Sequence, residues 1–172
     1  MKYEQFTPEG CLPVCLLKAA GIRPGKEKEI KSLMHAFRLT KFDYALGNVD
    51  FFVKKYKKKV SMIVENESYA DFLKKLSTGK NLVITSKKIS KNVIDEHLLL
   101  GNVIIYLDAF YVGSSVHVPH FVVITGRKRR VYIVLDPWDG KTKTMPPDKL
   151  LKGVDELKKR FYFTPKLIQV DE

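Results

Sequence analysis

The sequence predicts an α+β fold, with helices dominating the first half of the chain and strands the second. Three observations carry that expectation. Residues 11–20 are apolar on nearly every side of a helix, which places that helix inside the core. Two amphipathic helical patterns follow it before residue 60. Beyond residue 100 the apolar residues fall instead into short β-branched runs, two of which flank a basic turn as a hairpin.

Taken in order, Gln5 to Gly10 reads as a loop through its Pro and Gly, and the buried helix runs from Cys11 to about Ala20, with Gly21 as its C-cap. Lys26 to Phe37 has amphipathic spacing, with Ile30, Leu33, Met34 and Phe37 on one face; Val49 to Tyr56 repeats it. Val60 to Val64 has strand composition. Ser68, with Asp71 three residues on, predicts a capping box that opens a helix to Leu76. Leu82 to Thr85 is a short strand, and Ser90 caps a helix that ends at Gly101. Val103 to Leu107 suits a central strand. The hairpin pairs Phe121–Thr125 with Val131–Leu135, Pro137-Trp138-Asp139-Gly140 is a turn, Lys141 to Met145 is an edge strand, and a last helix covers Asp148 to Arg160.

At 172 residues with 45% apolar content, the chain suits one domain, residues 1–172, with a real core. The N-terminus lacks a signal-peptide pattern, and no apolar run reaches membrane-spanning length, so a cytoplasmic protein without a membrane span is expected. Two cysteines exclude a disulfide framework. Thirty-one Lys and Arg against nineteen Asp and Glu give a formal charge of +12. The cations are dispersed, the densest groups being Lys54–Lys59 and Arg127–Arg130, where helix ends and turns solvate charge readily. Nucleic acid is therefore a secondary expectation as partner.

The chemistry concentrates at three points. If the hairpin is symmetric about Lys128, His120 lies directly opposite Asp136 on one face, with Cβ atoms about 5 Å apart. A carboxylate there fixes the imidazole tautomer and supports the imidazolium. Cys11, at the first turn of a helix, has the backbone dipoles that favour a thiolate. The Gln5 amide, with the Cys11 backbone N–H, is placed to donate to an oxyanion, an interaction worth about 3 kcal/mol.

These residues carry a resemblance. The segment from Gln5 to Leu17, with Cys11-Leu12-Pro13-Val14-Cys15-Leu16, resembles the N-terminal motif of the C39-like, papain-like cysteine peptidases, in which Gln precedes Cys-Gly-Pro-Ala-Cys-Leu by five residues. His120 to Gly126 is similar to that family's His-strand-Gly motif, and Leu135-Asp136-Pro137-Trp138 to its Asp-Pro-Trp element. The resemblance spans residue 5 to about 160, with residues 22–80 matching only in pattern. It implies a papain-like fold in which the nucleophile helix packs on an antiparallel sheet. It also implies a cysteine peptidase with Cys11 as nucleophile, His120 as base, Asp136 as orienting carboxylate and Gln5 in the oxyanion hole. No cofactor or metal is implied, and the partner is a peptide or protein substrate. One position departs from the family: Leu12 stands where glycine usually follows the nucleophile, and it is expected to reshape the cleft. His117 and Trp138 are expected beside the substrate.

Other readings share the same residues. Cys11 fits a buried small hydrophobe, and Cys15, one turn further on, is expected inside the core. His117 and His120 with Cys11 and Cys15 have the residue types of a zinc site. Deamidation and acyl transfer need the same four residues as peptide hydrolysis. A catalytically inactive module that keeps the fold and binds a partner or nucleic acid through its basic surface is the alternative from another class.

Overall fold

The computed structural model describes residues 2–39 and 43–171. Its elements run α1 (Cys11–Ala19), α2 (Lys26–Leu39), α3 (Tyr44–Tyr56), β1 (Val60–Val64), α4 (Glu67–Leu76), β2 (Leu82–Ser86), α5 (Lys91–Leu98), β3 (Val103–Asp108), β4 (Pro119–Lys128), β5 (Val131–Asp136), β6 (Lys141–Met145), α6 (Pro147–Phe161) and β7 (Lys166–Val170). A 3₁₀ turn at Ala109–Val112 follows β3.

The strands form one sheet in the order β2-β1-β7-β3-β4-β5-β6, antiparallel except for the parallel pair β1 and β2. Side chains alternate between its faces, and both faces are covered. On one face Ile104, Phe121, Val123, Leu135 and Ile168 pack against α1, α3 and α4. On the other, Ile105, Val122, Ile124, Val134 and Leu167 pack against α5 and α6. The first of these layers holds α1 in place. Leu12, Leu16 and Leu17 are buried, and each contributes about 1.5–3 kcal/mol of transfer free energy.

The predicted α+β fold is therefore present, with several corrections. The capping residue of α4 is Asn66, whose side chain accepts from Tyr69 N at 2.8 Å, not Ser68. Helix α3 begins five residues earlier than its apolar spacing suggests, capped by Asp43. The buried face of α2 consists of Glu29, Ser32, Leu33 and Ala36, while Met34 and Phe37 are exposed. Polar contacts turned the helix: Glu29 accepts from the loop before α1, and Ser32 donates to Asn48 at 2.7 Å. Strand β7, in the middle of the sheet, was not anticipated.

The hairpin also pairs differently from the symmetric expectation. Lys128 pairs with Val131, leaving a two-residue turn in which Arg129 takes φ 55°. Continued unbroken, that register would set Asp136 beside Val123 and send His120 to the opposite face. A bulge at Thr125 intervenes, and beyond it Val123 pairs with Leu135. Asp136 thus falls level with Val122, on the face that His120 shares two residues away, a diagonal within reach of long side chains.

Replacing Asn66 with Ala should lower stability by about 1 kcal/mol in urea unfolding, whereas Ser68→Ala should be close to neutral.

Candidate active site

Three elements end at one place: α1 begins with Cys11, His120 is the second residue of β4, and Asp136 is the last of β5. The loop leading into Cys11 is held from two helices. Fully buried Glu29 of α2 accepts from Phe6 N at 2.9 Å, Thr7 N at 2.7 Å and Thr7 Oγ1 at 2.6 Å. Tyr44 of α3 donates its hydroxyl to the Glu9 carbonyl. Gly10 is required by this arrangement, since a Cβ there would lie 2.1 Å from Glu29 Oε1. Neither Glu29 nor Tyr44 was singled out in the sequence. A glutamate in the first turn of a helix reads as a solvated partner of the helix dipole, and nothing local marks it as buried.

His120 and Asp136 are both buried, with His120 Nε2 2.8 Å from Asp136 Oδ1. The same oxygen accepts from Trp138 N at 3.0 Å, and Oδ2 accepts from Lys143 Nζ at 2.9 Å. Lys143, on the edge strand β6, also reaches the Val112 carbonyl at 3.2 Å. With Nε2 committed to the carboxylate, Nδ1 is the ring nitrogen left for the thiol. Burial pushes the His120 pKa down, but hydrogen bonds to Asp136 and Cys11 and the negative charge of both outweigh it and raise it to about 9. Burial pushes Asp136 up, yet His120, Lys143 and the Trp138 N–H hold it well below the usual carboxylate range.

Cys11 is 8% exposed and forms part of the core surface. No side chain caps the α1 N-terminus, whose N-cap is Gly10. The Cys11 charge acts on His120, Tyr44 and Tyr106. On the His120 side lies a cleft of about 570 Å³, walled by Pro8, Val116, Val118, Trp138 and Lys143.

The remaining predicted residues divide. Trp138 is 61% exposed in that cleft, its ring edge-on to His120 with centroids 6.4 Å apart. Leu12 is fully buried and points into the core, so its expected place in the cleft is corrected; the helix presents that position to the sheet. His117 is not among the residues that line that cleft; its Nδ1 is 2.6 Å from buried Asp108 and its ring stacks on Phe110. The Gln5 amide donates to the carbonyls of Thr7 at 2.8 Å and Pro8 at 3.0 Å, so both its N–H groups are engaged within the loop. Cys15 donates to the Phe121 carbonyl at 3.4 Å, and burial together with the charges of Cys11 and Asp136 raises its pKa well above the ordinary value. With His117 and Cys15 committed elsewhere, the zinc arrangement does not assemble. Among the described residues no group of three or more His, Cys, Asp or Glu could hold a metal ion. None of their helices is long and apolar enough to cross a membrane.

The fold thus joins a seven-stranded sheet with α1 buried on one face to a cysteine, a histidine and a carboxylate at the ends of three elements. The chain belongs to the Peptidase C39 like family, whose model matches residues 43–157. That stretch contains His120 and Asp136 and begins after Gln5 and Cys11. No curated protein matches the sequence. Among solved structures, a candidate C39-like peptidase from Bacillus anthracis is similar in fold, with a TM-score of 0.56 over 100% of this chain and 94% of that one, at 14% identity.

Asp136→Asn should lower the His120 pKa from about 9, because burial is then opposed by Cys11 alone. Histidine-resolved NMR titration reads this directly. The raised His120 stabilises the fold fully below 6.5, and this is lost as pH rises through about 9; the lowered Asp136 stabilises it above 3.8, and this is lost as pH falls. The stability gap between wild type and Asp136→Asn should therefore be widest between 3.8 and 6.5. Gly10→Ala should cost roughly 1–3 kcal/mol by displacing Glu29, and amide exchange at Phe6 and Thr7 should accelerate.

Proposed function

We propose that this chain is a cysteine peptidase acting on a peptide or protein substrate. The observation that carries the reading is the buried His120–Asp136 contact beside a cysteine at a helix N-terminus. In the proposed reaction Cys11 Sγ, held as a thiolate beside the His120 imidazolium Nδ1–H, attacks the scissile carbonyl. Asp136 holds the ring through Nε2 and favours the imidazolium. The uncapped N-terminus of α1, with the Cys11 N–H, receives the oxyanion. Gln5 joins it once its amide releases Thr7 and Pro8. His120 then protonates the leaving amine, and water resolves the thioester through the same imidazole. Trp138 screens the His120–Asp136 bond from solvent. Deamidation and acyl transfer would use the same groups with a different leaving amine or acceptor.

A second reading has specific support. The 8% exposure of Cys11 and the engaged Gln5 amide also suit a module that keeps the fold without catalysis and binds a partner through its basic surface.

Iodoacetamide labelling at neutral pH separates the two. Catalysis predicts rapid modification of Cys11 that falls by about 10² in His120→Ala, and cleavage of a peptide mixture that Cys11→Ala abolishes. Cleavage should decline as pH rises through about 9, where His120 loses the proton destined for the leaving amine. Slow labelling indifferent to His120, with salt-dependent nucleic-acid binding that survives Cys11→Ala, would instead favour the module.

A further inference from the structure

Beside Tyr44 and Tyr106, both of which feel the Cys11 charge, lies a second cavity of about 320 Å³, with aromatic walls formed by Tyr44, Tyr69, Tyr106 and Phe121 and no lining residue in common with the cleft beside His120. Tyr106 and Phe121 are cross-strand partners on β3 and β4, their rings stacked at 4.2 Å. At the mouth stand Tyr162 and Phe163. Tyr162 is 90% exposed and takes φ 57° where α6 ends, an uncommon conformation for a bulky residue. The turn it makes leads into Phe163, which is 47% exposed and stacks on Tyr106 at 6.2 Å. Exposed apolar rings around a cavity beside a nucleophile mark a place where something binds.

The cavity also has a polar group with capacity to spare. Lys166, the first residue of β7, is 5% exposed, with its ammonium 3.3 Å from Asp43 Oδ2 and over the rings of Tyr69 and Tyr106 at 5.2 and 5.4 Å. Asp43 is shared with other donors, since Oδ1 accepts from Leu46 N at 2.6 Å and Oδ2 from the Tyr69 hydroxyl. An ammonium has three N–H donors. Among the described residues the partners of Lys166 are that one carboxylate and the two ring faces, which leaves a donor for an acceptor entering the cavity. Because Asp43 balances its charge, a neutral oxygen suits this donor better than a second carboxylate.

The direction of the substrate follows from the proton. His120 hands it to the leaving amine, so the leaving part occupies the cleft beside Trp138, and the acyl part extends past Cys11 toward Tyr44. We propose that the aromatic cavity receives a tyrosine side chain from the acyl side of the cleaved bond, with Lys166 donating to its phenolic oxygen. The proposal rests on Cys11 being the nucleophile.

The probes are acetyl-Xaa-glycyl chloromethyl ketones with Xaa as Tyr, Phe or Ala, which alkylate Sγ with loss of chloride. Rates at Cys11 are read by mass spectrometry and expressed relative to iodoacetamide labelling of the same protein. The expected order is Tyr, then Phe, then Ala, with Tyr leading Phe by roughly tenfold, as a hydrogen bond from a charged donor provides. In Lys166→Met the Tyr advantage should vanish while Phe still exceeds Ala. Asp43→Asn/Lys166→Met gives the same reading without a stranded buried carboxylate. Equal Tyr and Phe rates in the wild type, or a Tyr advantage that survives loss of Lys166, overturn the proposal while leaving a His120-dependent Cys11 nucleophile standing. Iodoacetamide labelling indifferent to His120 overturns both.

Discussion

A buried imidazole beside a thiol holds its proton only if a carboxylate is buried with it, and here that partner is Asp136 at 2.8 Å. The contact depends on a single residue of strand geometry. The tight Arg129–Arg130 turn alone would put His120 and Asp136 on opposite faces of the sheet. The bulge at Thr125 shifts the pairing by one and brings them to the same face. Trp138 N and Lys143 then fill the remaining capacity of the carboxylate, fixing its plane and keeping it ionised. Lys143 also ties the 3₁₀ turn to this network through the Val112 carbonyl, so the cleft wall and the acid share one cation.

The cysteine is fixed by different means. Helix α1 cannot shift because its leucines are packed against the sheet, and Leu12 is one of them. The departure from glycine at that position therefore changes core packing and leaves the cleft wall untouched. The loop before it is held by Glu29 and by Tyr44. Catalysis in this fold would turn on how that loop yields to substrate, since Cys11 itself is 8% exposed.

Local sequence gave access to whatever depends on local chemistry. The all-round apolar composition of residues 11–20 fixed the burial of α1, and β-branched runs marked β1, β3, β4 and β5. The His120–Asp136 pairing was legible because an even shift in register preserves the shared face, so the expectation held although the two residues are diagonal rather than opposed. Features set by distant partners were hidden. Strand β7 begins with Lys166 and carries Gln169, polar residues that are buried only because Asp43 and His97 meet them from elsewhere in the chain. For the same reason Glu29 looked like a surface residue, and Met34 and Phe37 looked like core. Lys143 sits in an edge strand where lysine ordinarily signals solvent.

The net charge of +12 is unevenly divided between interior and surface. Buried Glu29, Asp43, Asp50, Asp108 and Asp136 each accept from a backbone N–H: those of Phe6 and Thr7, Leu46, Thr78, Phe110 and Trp138 respectively. A carboxylate used in this way joins a loop or helix start to the core through charge-assisted hydrogen bonds. These acids are taken from the surface, whereas Lys166 is the one buried lysine or arginine among the described residues. The exterior is thus more basic than the composition states. The cations are dispersed along the sequence, so the charge by itself lends little weight to a nucleic-acid partner.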